Sequence, residues 1–235
     1  MEVHHHPHVE KKSFKEYLLE GLMIFIAVSM GFIAENIREK ISEHEIEKRS
    51  MELIVDGLRG DTMQIKRVIG LNVKRIGLLD SILSFQSQNL NDPNVFHRFD
   101  AIFRKAVSSY VTLSNDAAYE AMKNSGSLRF IKKKVIVDGL FNYGYNNSWT
   151  KYSAESYNGA TNSFVGSAAA FFNFNSVVQH IEHKDGDNKS LKFYNDALAL
   201  KFIIENYYLS SLNTQSESAV KLIKLIQNEY HLENE

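Results

Sequence analysis

Leu18–Ala34 reads LLEGLMIFIAVSMGFIA, and its 17 residues carry a single charge, Glu20, close to the start. At 1.5 Å per residue such a helix reaches about 26 Å, against a bilayer hydrocarbon core of roughly 30 Å. Phe14, Tyr17 and Ile37 close the gap, because tyrosine rings and lysine stems settle at the interface. The stretch therefore predicts a transmembrane helix over residues 17–37. A cleavable signal peptide would need a shorter apolar core and a small-residue exit. Here the run passes into the charged, helix-favouring AENIREKISEHEIEK (34–48). A buried helix of a soluble protein is rarely apolar on every face for four turns. Glu20 lies within a turn of the interface, where a carboxylate can snorkel or protonate.

Working outward, Lys11, Lys12 and Lys15 precede the span, and Arg38, Lys40, Lys48 and Arg49 follow it, so the positive-inside count is nearly balanced. The simplest arrangement keeps the short tail inside and exports the large domain, which predicts a periplasmic C-terminal domain. Within the span Ala27 and Gly31 stand four apart, with Ser29 between. This small-xxx-small spacing permits close approach of a second helix, so the pair is the candidate transmembrane packing face. The tail, residues 1–16, opens MEVHHHPHVEKK. Its His4, His5, His6 and His8 are possible nickel, copper or zinc ligands. A flexible tail has no surrounding shell to fix ligand geometry, so a mobile histidine-rich segment is expected instead.

Composition excludes several classes. Lys plus Arg number 27 against 28 for Asp plus Glu, a net charge of -1 that gives no pull toward nucleic acid. The absence of cysteine removes disulfides, thiolate nucleophiles and cysteine-based metal sites. Only Pro93 follows the tail proline Pro7, which leaves room for long helices.

Residues 38–235 accordingly predict a helical soluble domain, and the chain as a whole an all-α fold with a helical-bundle extramembrane part. From Glu35 to about Ser87, Ile54, Leu58, Ile65, Val68, Ile69, Ile76, Leu79, Ile82 and Leu83 recur at three- and four-residue steps. Arg59, Lys66, Arg67 and Lys74 are left for other faces. This periodicity is equally compatible with packing inside one chain or against a second copy. Gly57, Gly60, Gly70 and Gly77 either weaken the helix, by about 1 kcal/mol each, or permit close packing. NLNDPN (89–94) is the strongest turn signal. A second helix is predicted over about Val95–Leu113. Ser114-Asn115-Asp116 would cap a third, which Gly126 would end, and Ser127 would cap the next. Helix is expected again over Asn146–His180, a polar loop over His183–Ser190, and helices over Leu191–Tyr208 and Ser216–Tyr230.

Two segments carry a resemblance. MEVHHHPHVEKKSFKEYLLEGLMIFIAVSMGFIAENIREKISE is similar to the N-terminus of a widespread family of uncharacterised single-pass membrane proteins of Bacteroidota. YEAMKNSGSLRFIKKKVIVDGLFNYGY (119–145) resembles that family's second hallmark, a Gly-centred helix–turn–helix followed by aromatics. The resemblance implies a bacterial inner-membrane anchor with a helical extramembrane domain, and it brings no catalytic residue with it.

No P-loop, GxGxxG, GxSxG or HExxH pattern is present. Asp185, Asp187 and Asn188 resemble the start of a calcium loop, but positions six and twelve hold Ser190 and Asp196 rather than glycine and glutamate. His180 and His183 would share a helical face, without a third zinc ligand in evidence. The chain is therefore expected to be non-enzymatic, with no cofactor and no metal. The one unusual concentration is aromatic: Tyr143, Tyr145, Trp149, Tyr152, Tyr157, Phe164, Phe171, Phe172 and Phe174, interleaved with asparagine and serine. Aromatics in a bundle usually pack as core. The alternative is a ligand pocket or partner surface, for which Tyr143, Tyr145, Trp149, Tyr152 and Tyr157 are the candidates. The leading functional expectation is a membrane-anchored interaction or assembly module, a homo-oligomer or the partner of another membrane or periplasmic protein. The alternative is a ligand-binding sensory domain using residues 143–174.

Overall fold

The computed structural model describes residues 13–112, 120, 123–124, 126–175, 180–183 and 187–232. The histidine-rich start and the Ser114–Asp116 cap lie outside these residues. The chain divides into two compact units, Met1–Arg49 and Ser50–Glu235.

The first unit is the opening part of helix α1, which spans Phe14–Ser84. Its first turn is held by the Glu16 carboxylate, which accepts the Ser13 backbone N–H at 2.8 Å, half of a capping box. The large apolar side chains from Leu18 to Ile33 are exposed along this stretch, and among the described helices α1 is the one long and apolar enough to cross a membrane. Beyond it Arg38 pairs with Glu35 at 2.5 Å. This i,i+3 pair supports the exposed helix.

In the second unit the rest of α1 closes with a 3-10 turn at Phe85–Ser87. Then come α2 (Pro93–Ala106), a 3-10 turn (Ser127–Phe130) and α3 (Lys134–Phe171). A hairpin of β1 (Phe172–Asn175) and β2 (His180–His183) leads to α4 (Asp187–Ile203), a π-helical turn (Ile204–Tyr208) and α5 (Leu209–Tyr230). Among the described residues the regular structure is thus helical apart from that antiparallel hairpin, whose register pairs Phe172 with His183 and Asn175 with His180.

The apolar stripe of α1 is spent inside the chain. Ile65, Val68, Leu79 and Ile82 are buried against Phe99 and Phe103 of α2, Phe164 and Phe171 of α3, and Phe193 of α4. Phe99, Phe103, Phe172 and Phe193 lie with ring centroids 5.0–6.1 Å apart. Ile69, named above as part of the stripe, is partly buried and packs against this core. A second cluster joins Met51, Ile54, Val55 and Leu58 to Ile136, Leu140 and Tyr143 of α3 and to Leu222 and Ile226 of α5.

Helix α3 links the two clusters through a single heptad-like series of buried positions. Its residue types change from Ile136, Leu140 and Tyr143, through Asn147, Thr150 and Ser153, to Tyr157, Thr161, Phe164, Ala168 and Phe171. Two residues of the middle polar stretch bond across the helices. Gln215 Nε2 donates to Asn147 Oδ1 at 2.9 Å, and Thr150 Oγ1 donates to the Ser211 carbonyl at 3.2 Å. A buried amide pair costs desolvation, and these bonds offset it while fixing the register of α3 against α5.

Several expected boundaries move, each for a physical reason. Helix α2 starts at Pro93, capped by Asp92, whose Oδ1 accepts the Asn94 N–H at 2.8 Å. It stops at Ala106 instead of Leu113, because side chains of other helices take the backbone groups of residues 106–112. Residues 131–133 are not helical and bring Ile131 into the second cluster, so α3 begins at Lys134 rather than after Ser127. The helix expected to reach His180 ends at Phe171. Phe172 to Asn175 alternate Phe and Asn, a period-2 pattern that suits a strand. Asp187–Ser190, expected in a loop, form the first turn of α4. No break separates Tyr208 from Ser216: Ser211 and Thr214 return their hydroxyls to the Tyr208 and Ser210 carbonyls, so these polar residues stay helical.

Close helix packing does not occur at three of the expected glycines. A Cβ at Gly60, Gly70 or Gly77 meets nothing within 4 Å. The tight approach is at Gly139, where a Cβ would lie 2.9 Å from Leu222 Cδ1.

Candidate functional site

Helical phase separates the aromatic candidates. Tyr143 and Tyr157 occupy the buried series of α3, whereas Tyr145 (70% exposed), Trp149 (50%) and Tyr152 (60%) stand on the opposite face. Phe141, 58% exposed, extends them into a stripe at i, i+4, i+8 and i+11, and the Trp149 and Tyr152 rings stack at 5.6 Å. The five predicted site residues are therefore not one surface. Phe164, Phe171 and Phe172 belong to the core, as aromatics in helical proteins usually do. Tyr143 is spent on Asp61, to whose carboxylate it donates a hydrogen bond in a buried pair.

Tyr157 lies in a constellation that the sequence reading did not single out. Arg75 of α1 is fully buried. Its Nε donates to the Ala106 carbonyl at 2.9 Å, and its Nη1 donates to Tyr157 Oη at 2.5 Å and Thr161 Oγ1 at 3.1 Å. The guanidinium carbon also lies 5.2 Å from the centre of the Tyr157 ring, a cation–π distance. One turn earlier the buried Asn72 donates through Nδ2 to the carbonyls of Val68 (3.0 Å) and Tyr110 (2.9 Å). Tyr157 Oη accepts the Tyr110 N–H at 2.9 Å, and Tyr208 Oη accepts the Thr112 N–H at 3.0 Å. The Tyr157 and Tyr208 rings stack at 4.8 Å. Residues 106–112 are thus a strap whose backbone is held by side chains from α1, α3 and the π-helical turn.

The electrostatics follow from burial. Desolvation pushes the Arg75 guanidinium below its ordinary range, with the Tyr157 hydroxyl as the main counterweight. Burial lifts the Tyr208 hydroxyl to about 12, and that of Tyr194 also to about 12. Two atoms of the constellation have no hydrogen-bond partner among the described residues: Arg75 Nη2 and Asn72 Oδ1. The π-helical turn that carries Tyr208 is itself a rare feature, frequently found at functional sites. The signal for this site was present in the stripe Ile65–Val68–Asn72–Arg75–Leu79–Ile82, whose steps of three and four place two polar residues at core positions.

The remaining candidates gain nothing from the structure. His180 and His183 lie on a strand, so the helical pairing that a shared ligand face required is missing. Among the described residues no group of three or more His, Asp or Glu is arranged to hold a metal. Asp185 lies outside those residues, and Asn188 and Ser190 are in the first turn of α4. Ala27 and Gly31 are exposed on α1, and a Cβ at Gly31 would meet nothing within 4 Å. No protein-family model, curated protein or solved structure matches the chain.

Proposed function

We propose that the protein is a single-pass, membrane-anchored helical bundle that works as a non-enzymatic assembly module. In this reading residues 17–37 cross the bacterial inner membrane and the second unit projects into the periplasm. The observation that carries the reading is the exposed stripe Phe141–Tyr145–Trp149–Tyr152 on α3. Exposed aromatics in a row are costly in water and are enriched in the cores of protein interfaces, as tyrosine and tryptophan bury large areas at small entropic cost. Fully covering four aromatics of which half or more is exposed removes on the order of 500 Å² per chain from water. A self-associated pair would then approach the lower bound of a stable interface. A second copy is the first partner to test. Another membrane or periplasmic protein is the alternative occupant.

The test is the mass of the full-length protein in detergent, measured by size-exclusion chromatography with light scattering. The triple variant Tyr145→Ser, Trp149→Ser, Tyr152→Ser is run beside it, with circular dichroism to confirm its fold. An oligomer that becomes a monomer in the folded variant is expected. An oligomer indifferent to the variant refutes this surface and turns attention to Ala27 and Gly31, while a monomeric wild type removes self-assembly.

A second reading, a ligand-binding sensory domain using residues 143–174, has one observation in its favour. Tyr157 of that region is buried beside an arginine with an unmatched donor. It predicts that a small molecule raises the melting temperature, and a metabolite screen without any shift would remove it.

A further inference from the structure

Asn72 and Arg75 lie three residues apart on the buried face of α1, and both reach the same strap, Arg75 at Ala106 and Asn72 at Tyr110. Their spare atoms are opposite in kind. Arg75 Nη2 is a charged donor and Asn72 Oδ1 is an acceptor, and neither has a partner among the described residues. Leaving a buried donor or acceptor unmatched is expensive, more so when it belongs to a charged group. The other guanidinium nitrogens are committed to a carbonyl and two hydroxyls, all neutral acceptors. An anionic oxygen would match Nη2, and a hydrogen-bond donor would match Oδ1.

We propose that Arg75 and Asn72, beneath the 106–112 strap, form a binding site for a small ligand carrying an anionic oxygen next to a hydrogen-bond donor. Two chemistries meet that description, a protonated oxyanion such as bicarbonate or dihydrogen phosphate and a glycine-sized amino acid zwitterion. Nitrate has the charge without the donor. The bidentate clamp usual for arginine is closed here, because Nε and Nη1 are occupied, so the ligand is held through Nη2 alone and must be small. The strap sets access: its backbone groups are tied to Arg75, Asn72, Tyr157 and Tyr208, so entry requires residues 106–112 to lift and binding favours their closure. The proposal rests on the sensory reading and specifies its site and ligand class. It is independent of the assembly reading, which is measured by mass.

The experiment is thermal unfolding of the full-length protein in detergent, followed by circular dichroism, while sodium bicarbonate, inorganic phosphate, glycine or sodium nitrate is titrated in. At about a hundredfold excess over Kd, one of the first three is expected to raise Tm by roughly 5–10 °C, with nitrate well behind. Arg75→Lys keeps the charge and removes Nη2, so it should lose the response. Thr161→Asp places a carboxylate beside the guanidinium from the neighbouring helix. It should raise Tm without ligand and abolish the ligand shift, and it carries the test if Arg75→Lys does not fold. No shift with any of the three overturns the proposal. A shift that survives both variants also overturns this site, while leaving the sensory reading with a site elsewhere.

Discussion

Tyr157→Phe isolates the part of the structure on which the strap depends. The change removes one oxygen and leaves the ring, so the 4.8 Å stack on Tyr208 and the 5.2 Å approach of the guanidinium both persist. What is lost is the acceptor for two donors: Arg75 Nη1 at 2.5 Å and the Tyr110 backbone N–H at 2.9 Å. A bond to a charged group contributes about 1.5–3 kcal/mol and a neutral one about 0.5–1.5 kcal/mol. Losing both with the donors still buried should cost about 2–4 kcal/mol. Tyr208→Phe is the internal comparison, since that hydroxyl accepts only the Thr112 N–H among the described residues, and its loss should cost about 1 kcal/mol. For a chain of this size the first substitution lowers Tm by roughly 4–16 °C and the second by roughly 2–4 °C. Urea unfolding of the full-length protein in detergent, followed by far-UV circular dichroism, gives both values under one condition. If Tyr157→Phe costs no more than Tyr208→Phe, Tyr157 is not the hub that holds Arg75 and the strap together, and the constellation loses its structural basis.

Three further outcomes follow from the same packing. Gly70→Ala and Gly77→Ala add a methyl where nothing lies within 4 Å, in a helix interior, so each should stabilise by about 0.5–1 kcal/mol. Gly139→Ala should show no such gain, because its methyl would displace the buried Leu222 side chain, and equal urea midpoints for the three would contradict this. Tyr194→Phe removes a buried hydroxyl that has no partner among the described residues, so stability should be unchanged or higher, and a loss above about 1 kcal/mol would reveal a missed partner. In alkali the direction is set by burial, which holds Tyr194 and Tyr208 at about 12, above the ordinary 10.0 of a tyrosine hydroxyl. The unfolded chain loses these protons first. Their stabilising contribution is therefore complete below pH 10 and disappears between pH 10 and 12, at about 1.4 kcal/mol per pH unit for each tyrosine. Denaturant midpoints across that range should flatten in the Tyr194→Phe, Tyr208→Phe double variant.

The helical character and the apolar N-terminal segment were legible because each rests on a repeated signal. One charge in seventeen residues, or nine apolar residues at three- and four-residue steps, survives local exceptions. The turn over residues 89–94 was legible because Asp92 and Pro93 signal it, although the helix after it starts at Pro93, two residues before the expected Val95. Boundaries were not legible where tertiary contacts override local preference. The end of α2 is the clearest case, since backbone groups of Ala106, Tyr110 and Thr112 bond to partners 31 to 96 residues distant in the chain. No window around residue 106 contains that information. The hairpin was missed for the opposite reason: FNFN is a four-residue strand signal attached to a helix of 38, and the long helical context concealed it.

The candidate site shows how far residue type and helical phase must be read together. The aromatic concentration after Tyr143 was conspicuous, yet composition cannot tell which side of a helix a ring occupies. About half a turn of phase separates Tyr143 from Tyr145, and phase alone sends Tyr143 and Tyr157 into the interior and leaves Tyr145, Trp149 and Tyr152 in solvent. The same reasoning applied to α1 would have exposed Arg75. Lys66, Arg67 and Lys74 fall off the apolar stripe and are exposed, as basic residues on a helix usually are. Arg75 falls on the stripe, four residues before Leu79 and seven after Val68, with Asn72 between, where an apolar pair would have been cheaper. An arginine at such a position needs partners brought by the rest of the fold, and four segments supply contacts to Arg75 and Asn72 or to the strap they hold: α1, the strap, α3 and the π-helical turn. A purely structural role would be served by matching every donor and acceptor. The set instead ends with one charged donor and one acceptor unmatched among the described residues, and it is on that pair that the proposed ligand site rests.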